Sequence, residues 1–287
     1  MSRLALLLGL LLAAPVSADP LLYRINDSDS TVWLLGSVHA LRSSDYPLDE
    51  HIESAYRRAD RVILEVDPAE LEPAYIAGLM TSLARYENGK LSDAFSTEEF
   101  EHLQEQLATL GVDVHQLQPF EPWFVALQVF GLNLARNGFA HAEGVDSHYA
   151  ARAAEDGKST GGLETARAQF ALFDNLPLET QKTFLSETVA DSEDFRDEMT
   201  RLVENWRRGD TQALEQLIED EFAHEPELRE SMLDARNRNW VQPIIDFLDE
   251  PGETLVIVGA LHLVGDEGVI ELLREKGHEV ERVANTE

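Results

Sequence analysis

Thr31-Val32-Trp33-Leu34-Leu35-Gly36-Ser37-Val38-His39 sets a largely apolar run against Gly-x-x-His, and Thr254-Leu255-Val256-Ile257-Val258-Gly259-Ala260-Leu261-His262 repeats the pattern near the other end of the chain. Each run reads as a buried strand. The glycine lets the backbone bend, or lie close to a neighbour, where a side chain would collide. An imidazole is thereby presented at the C-terminal edge of a parallel sheet, where open α/β proteins place their chemistry. The bare motif is weak: with 17 glycines and 9 histidines in 287 residues, composition predicts about half an occurrence. A third match, Gly138-Phe139-Ala140-His141, follows no strand and reads as a helix end. The context of the other two carries the information.

Working outward from the first strand, Leu21–Ile25 and Thr31–Leu35 flank the turn-rich Asn26-Asp27-Ser28-Asp29-Ser30 and predict a hairpin. Leu48, Ile52, Ala55, Tyr56 and Ala59 recur at helical spacing, and the β-branched run Arg61-Val62-Ile63-Leu64-Glu65-Val66 follows at once. Strand, helix, strand is a right-handed βαβ unit with parallel strands, so His39 and Glu65 leave the same sheet edge. Helical segments are expected around 68–137 and 165–248, with breaks at Gly89, Gly111, Pro119, Pro122, Pro177, Gly209 and Pro226. Between them, Gly144-Val145-Asp146 opens a short helix, and Ser159–Leu163 is a weakly specified strand whose Ser, Thr and Gly residues offer little apolar surface. After the second motif come a helix, Val269–Lys276, stopped by Gly277, and a charged edge strand within 278–283. The fold class is α/β: a mostly parallel sheet built from both ends of the chain, with a largely helical middle insertion.

Residues 1–18 carry an early arginine, an apolar run from Leu4 to Ala14 and the small-residue sequence Pro15-Val16-Ser17-Ala18 before Asp19. That is the pattern of a secretory signal peptide, and the run is too short to span a bilayer. The expected product is a periplasmic or secreted single domain, 19–287, with no stable membrane insertion after cleavage. The absence of cysteine excludes disulfides and cysteine catalysis. It leaves His, Asp and Glu as the metal-ligating side chains, suited to hard or borderline divalent ions. Lys+Arg 23 against Asp+Glu 54, a net charge of -31, makes nucleic acid and anionic lipid poor partners.

Two imidazoles and a carboxylate converging on one edge suit either a metal or an acid–base site. His39 and His262 are read as functional, against buried histidines tied to backbone groups. Glu65 ends an apolar run, so its burial calls for a cation or several donors, which a metal, a protonated histidine or a structural salt bridge would supply. Trp123, Phe124, Leu127 and Phe130 have helical spacing and read as core. His51, His102, His115, His224 and His278 sit among polar neighbours and read as surface groups.

Several of these segments together resemble the TraB/GumN family, whose eukaryotic relatives include the Tiki proteases and which is related in fold to erythromycin-esterase and ChaN-like proteins. The matching pieces are Leu34 to His39, the strand ending at Glu65, Gly144-Val145-Asp146-Ser147-His148, Leu163-Glu164-Thr165 with Gln169, Arg236-Asn237, and Val258 to Gly265. The resemblance implies a metal-dependent hydrolase, most plainly a peptidase, whose functional set maps onto His39, Glu65 and His262. As ligands these would hold Mn, Co or Zn and leave a position for water, whose pKa the ion lowers. The general base would then be Glu164 or Asp146, and Arg236 would hold a substrate carboxylate or an oxyanion. His148 is a further candidate ligand or a partner of one. A metal-free alternative has a histidine acting as base, as in the esterase relatives. Other classes are an iron- or haem-binding protein, and a non-catalytic factor in polysaccharide export or signalling-peptide control. The expected partner of an enzyme is a peptide or small-molecule substrate.

Overall fold

A six-stranded mixed sheet forms the centre of the computed structural model, which describes residues 20–190, 194–223 and 225–284. The predicted leader and His224 lie outside the described residues. The strands are β1 (Leu22–Asn26), β2 (Ser30–Ser37), β3 (Arg61–Val66), β4 (Ser159–Glu164), β5 (Gly252–Gly259) and β6 (Glu281–Arg282). Their spatial order is β4-β3-β5-β2-β1-β6. β1 and β2 form the expected hairpin, β6 joins β1 antiparallel, and β2, β5, β3 and β4 run parallel.

The expected βαβ unit exists, since the helix Glu50–Arg58 connects β2 to β3, but these strands are not neighbours. β5, contributed by the far end of the chain, lies between them, with Val32 opposite Thr254 on one side and Arg61 opposite Thr254 on the other. A central parallel strand is covered on both faces, which is why Leu255 to Val258 is an unbroken buried run rather than an alternation. The four parallel strands end together, so the residues that follow β2 and β5 meet the last residues of β3 and β4 along one edge.

The helix Val145–Asp156 closes that edge beside β2. Its first N–H, on Val145, bonds the carbonyl of Val38, and Gly144 caps it in close contact with the chain at His39. A β-carbon at Gly144 would lie 2.3 Å from the His39 carbonyl oxygen, so glycine is required for the approach. The same helix is tied to Glu50–Arg58 through Glu53, which accepts from Tyr149 at 2.9 Å and from Arg152 at 2.8 Å.

The main core packs the sheet against helices from both ends, with Tyr56, Tyr149, Trp206 and Trp240 among its large side chains. The helical middle has a separate core around Leu91, Leu103, Leu107, Val125 and Leu185. Trp123 is fully buried as expected, while Phe124, Leu127 and Phe130 are only half-buried. Among the described residues, no helix is long and apolar enough to cross a membrane.

The polar composition of β4 has a packing explanation. It is an edge strand, and a β-carbon on Gly162 would sit 2.4 Å from the backbone nitrogen of Asp67 and 2.9 Å from the Val66 carbonyl carbon. The segment is poor in apolar surface because the chain leaving β3 lies directly on it. Replacing Gly162 with Val, which raises β-propensity, should therefore destabilise the protein by about 1–3 kcal/mol through overpacking. Urea unfolding measures this, and an unchanged or raised midpoint contradicts the packing account.

Candidate functional site

Both Gly-x-x-His motifs, the ends of β3 and β4, and one C-terminal helix converge on the parallel edge. β2 delivers His39 two residues past its end. β5 delivers His262 from the 3-10 turn Ala260–Leu263. Glu65 stands one residue before the end of β3, and Glu164 ends β4, paired in register with Val66. Gly259 forms the floor: a β-carbon there would lie 3.2 Å from Nε2 of His39, 3.3 Å from Oε1 of Glu65 and 3.4 Å from Cδ2 of His262. Its backbone N–H donates to Glu65 Oε1 at 2.8 Å. Gly36 has a different task. It brings β2 against Ala260 and Leu21, and its carbonyl accepts from the Trp206 indole at 2.7 Å.

Arg236 enters from the helix Ala235–Asp246, directly after the π-helical turn Glu230–Asp234. π-turns are rare and concentrate at functional sites, because they shift the facing of the side chains that follow. A guanidinium has five N–H bonds, and Arg236 uses all of them. Nε donates to Glu164 Oε2 at 3.2 Å, and Nη2 to Glu164 Oε1 and to Glu65 Oε2, both at 2.6 Å. Nη1 donates to the Met232 carbonyl and to His262 Nε2, both at 3.0 Å. As placed here, Arg236 has no N–H left over for the substrate carboxylate or oxyanion it was expected to hold.

His262 must then be neutral, with its proton on Nδ1, which donates to Asn237 Oδ1 at 2.6 Å. Asn237 is oriented in turn by its own bond to the Glu267 carbonyl at 2.8 Å. Consecutive residues of one helix thus grip both nitrogens of one imidazole, and the Trp240 ring lies against it at 4.5 Å. Burial, reinforced by Arg236, pushes the His262 pKa down to about 3 against the pull of Glu65. Glu65 is buried as well, which by itself raises a carboxyl pKa. The facing imidazoles of His262 and His39, the guanidinium and the Gly259 N–H outweigh that and hold it at about 2. Its second oxygen also accepts from Gln169 at 2.9 Å. Burial pushes Glu164 up, opposed by its bonds to Arg236.

His39 is the accessible member, with 51 % of its side-chain surface open. Nε2 faces Glu65 Oε1 at 3.7 Å, and Nδ1 lies 3.2 Å from Asp146 Oδ1 in the first turn of Val145–Asp156. Burial lowers its pKa, but the charge and contact of Asp146, then Glu65, outweigh burial and raise it to about 9. His141 follows a helix, as its Gly-x-x-His context predicts, yet its Nδ1 lies 3.2 Å from the His39 carbonyl. His148 sits away from the metal-like group, its ring 4.9 Å from that of Tyr46 and 5.0 Å from that of Tyr149. His102 and His115 are exposed, while His51 and His278 are half-buried. Asn237 and Gln169 belong to the family-like segments, but their roles as partners of His262 and Glu65 follow only from these contacts.

The three expected metal ligands do approach one another, with His262 Nε2 3.8 Å and His39 Nε2 3.7 Å from Glu65 Oε1. The donor set as placed nevertheless does not fit a divalent ion. Two of the three ligands already accept from Arg236, whose guanidinium stands where the ion's charge belongs. Among the described residues, no group of three or more His, Asp or Glu is gathered as a ligand set.

Comparison with known proteins gives a family model described as the TraB/PrgY/gumN family, matching residues 21–282. Two relatives, both called uncharacterised protein YbaP, come from Escherichia coli strain K12 and Shigella flexneri. Each is 23% identical over 241 residues, covering 84% of this chain and 87% of its own length. An uncharacterised protein of Treponema pallidum strain Nichols is 21% identical over 275 residues, covering 90% and 81%. No solved structure matches.

The buried pair sets an acid limit on stability. His262 at about 3 binds fewer protons folded than unfolded below its ordinary 6.5, so its contribution is present above 6.5 and lost as pH falls toward 3. Glu65, at about 2 against an ordinary 4.5, adds a loss in the same direction below 4.5. His39, raised to about 9, has the opposite sign: its contribution is full below 6.5 and fades as pH rises through 9, weakened by its exposure. Acidification also relieves repulsion among the many surface carboxylates, so the informative quantity is a difference. The Tm advantage of wild type over His262→Gln should shrink as pH drops from 6.5 to 4, and a constant difference contradicts the assigned state of His262.

Proposed function

Because the chain belongs to the TraB/PrgY/gumN family, we propose that this edge is the active site of a hydrolase acting on a carbonyl substrate, a peptide or small ester, with His39 carrying the proton. The observation that supports this most is the contrast between the two imidazoles. One is sealed and saturated with partners. The other is open, backed by Asp146 at Nδ1 and offering Nε2 beside Glu65.

In this reading neutral His39 takes a proton from water as the water attacks the carbonyl carbon, then returns it to the leaving amine or alcohol. Asp146 orients the ring and stabilises the imidazolium, the part an acid plays in Ser-His-Asp sites. Glu65 is the second anion facing that imidazolium. Its position is set by Gly259, Gln169 and Arg236, so the charge arrangement needs no reorganisation during reaction. Glu164 serves here as the partner of Arg236 rather than as the base. The protein-wide negative field disfavours polyanionic substrates. A leader such as residues 1–18 would place this chemistry in the periplasm or outside the cell.

The metal-activated version has one observation in its favour, the spacing of both Nε2 atoms about Glu65 Oε1. It requires Arg236 to leave its five acceptor atoms, on four residues, first. The metal-free route uses the groups as they stand.

His39→Ala should lower kcat/KM on chromogenic esters or fluorogenic peptides by about 100-fold or more, the usual scale of a lost acid–base group. Since the base form prevails only above its pKa, wild-type kcat/KM should climb with pH toward about 9. Asp146→Asn should move that limb toward acid, because it removes the charge that raises the pKa. Full turnover in His39→Ala, or an unmoved limb in Asp146→Asn, contradicts the proposal.

A further inference from the structure

Beyond residue 19 the chain has four stretches of twelve or more residues without Asp, Glu, Lys or Arg: 30–41, 73–84, 122–135 and 254–265. Three of them form β2, β5 and the helix Pro122–Arg136, and are largely buried. The exception is the helix Pro73–Ala84, of which only Leu79 and Ala84 are buried. Its inner side, Ile76, Leu79 and Leu83, clusters with Val66, Ala166 and Phe170. At 3.6 residues per turn the outward side is centred on Gly78 and carries Ala74, Tyr75, Thr81, Ser82 and Arg85, all exposed. A helix face turned to water is ordinarily charged, as on Thr97–Thr109 and Phe195–Arg207. This one is not. Leu71 and Tyr75 are 44 % and 48 % exposed, and with Leu178 they are the exposed large apolar residues among the described residues. A β-carbon on Gly78 would meet nothing within 4 Å, and an open groove of about 760 Å³ runs along 77–87.

We propose that Pro73–Ala84 is the interface of a weak homodimer, in which two copies of the helix cross antiparallel over Gly78. Each Tyr75 then enters the groove of the other copy, and each Glu72 meets the other copy's Arg85. Charge selects this occupant. Glu72 caps the N-terminus of the helix through the Tyr75 N–H, at 2.9 Å. Arg85 stands at the other end, and its guanidinium has no carboxylate partner among the described residues. Antiparallel copies bring these opposite charges together at both ends. The pairs Glu72 with Arg85, Tyr75 with Ser82 and Leu71 with Tyr86 share one midpoint, between Gly78 and Leu79, as a two-fold axis requires. Glu87 lines the end of the groove, so a slip that set it against Glu72 would oppose two carboxylates, which holds the register. Two molecules of net charge -31 repel each other, and a face free of acids lets them touch. A partner or a membrane recruited by charge has almost nothing to read on it. The helix, 12 residues and about 18 Å long, is small for an interface, so the dimer belongs in the micromolar class.

None of these residues belongs to the candidate site, so the dimer stands or falls independently of the hydrolase. Sedimentation velocity on the purified wild-type protein, in salt that screens the net charge, should show a monomer–dimer equilibrium. Tyr75→Glu should weaken it roughly 30-fold, the scale of a lost interface anchor. Arg85→Glu and Glu72→Arg should each weaken it, and the double reversal Glu72→Arg with Arg85→Glu should restore it. These side chains are exposed, and circular dichroism checks that each variant keeps the fold. Since the chain has no cysteine, Gly78→Cys also sets a single thiol beside its symmetry mate. It should cross-link under mild oxidation faster than Thr109→Cys, an exposed position on another helix. A wild type that stays monomeric up to roughly 0.5 mM overturns the inference, whether the helix is bare or covered by some other protein. A dimer that Tyr75→Glu leaves intact, a double reversal that restores nothing, or equal cross-linking at 78 and 109 overturns it as well.

Discussion

A single guanidinium holds the functional edge of this protein together. Arg236 joins the last residues of β3 and β4, the turn after β5 and its own helix, elements that are distant in sequence. Burying one arginine with two glutamates is expensive, and such a cluster is stabilising only when every lone pair and proton finds a partner. Here they do. The Gly259 N–H, the Gln169 amide and the Asn237–Glu267 link complete the set. Removing any one member leaves the others buried and unpaired, so the network specifies a single arrangement of the edge rather than merely adding to stability.

That arrangement gives opposite fates to two histidines with the same local sequence. Gly36-Ser37-Val38-His39 and Gly259-Ala260-Leu261-His262 both follow buried parallel strands. β5 is central, and the helix carrying Arg236, Asn237 and Trp240 covers its end, so His262 is desolvated and faces a fixed positive charge. β2 ends beside the opening of Val145–Asp156, so His39 meets the carboxylate of Asp146 and keeps half its surface in solvent. One imidazole is pushed to about 3 and the other to about 9. Environment, not motif, decides which of them can exchange a proton with a substrate.

Much of the frame was legible from residues alone. The paired runs at 31–35 and 254–258, the β-branched run before Glu65 and the hairpin turn predicted both parallel directionality and a shared edge. The position of β5 between β2 and β3 was not legible, because sequence order says nothing about which strand fills a crossover gap. β4 was weakly specified for a physical reason: Gly162 is demanded by contact with the chain at Asp67, and contact does not register as hydrophobicity. Within the site, the residue types were visible but their states were not. That Arg236 spends every donor internally, that Asn237 dictates a tautomer, and that His141 backs the His39 carbonyl all depend on distances between segments roughly 25 to 170 residues apart. The matching segments did contain Gln169 and Asn237, so their presence was a usable signal, though not their roles.

The central claim concerns protonation states, and nitrogen-15 NMR of the histidine rings, titrated by pH, reads them directly. The account predicts that His262 stays neutral from pH 8 to below 5, protonated on Nδ1 with a hydrogen-bonded, unprotonated Nε2, while His39 is an imidazolium at neutral pH that loses its proton near 9. An Nε2-protonated or charged His262 at neutral pH, or a His39 that titrates at the ordinary 6.5, would contradict it.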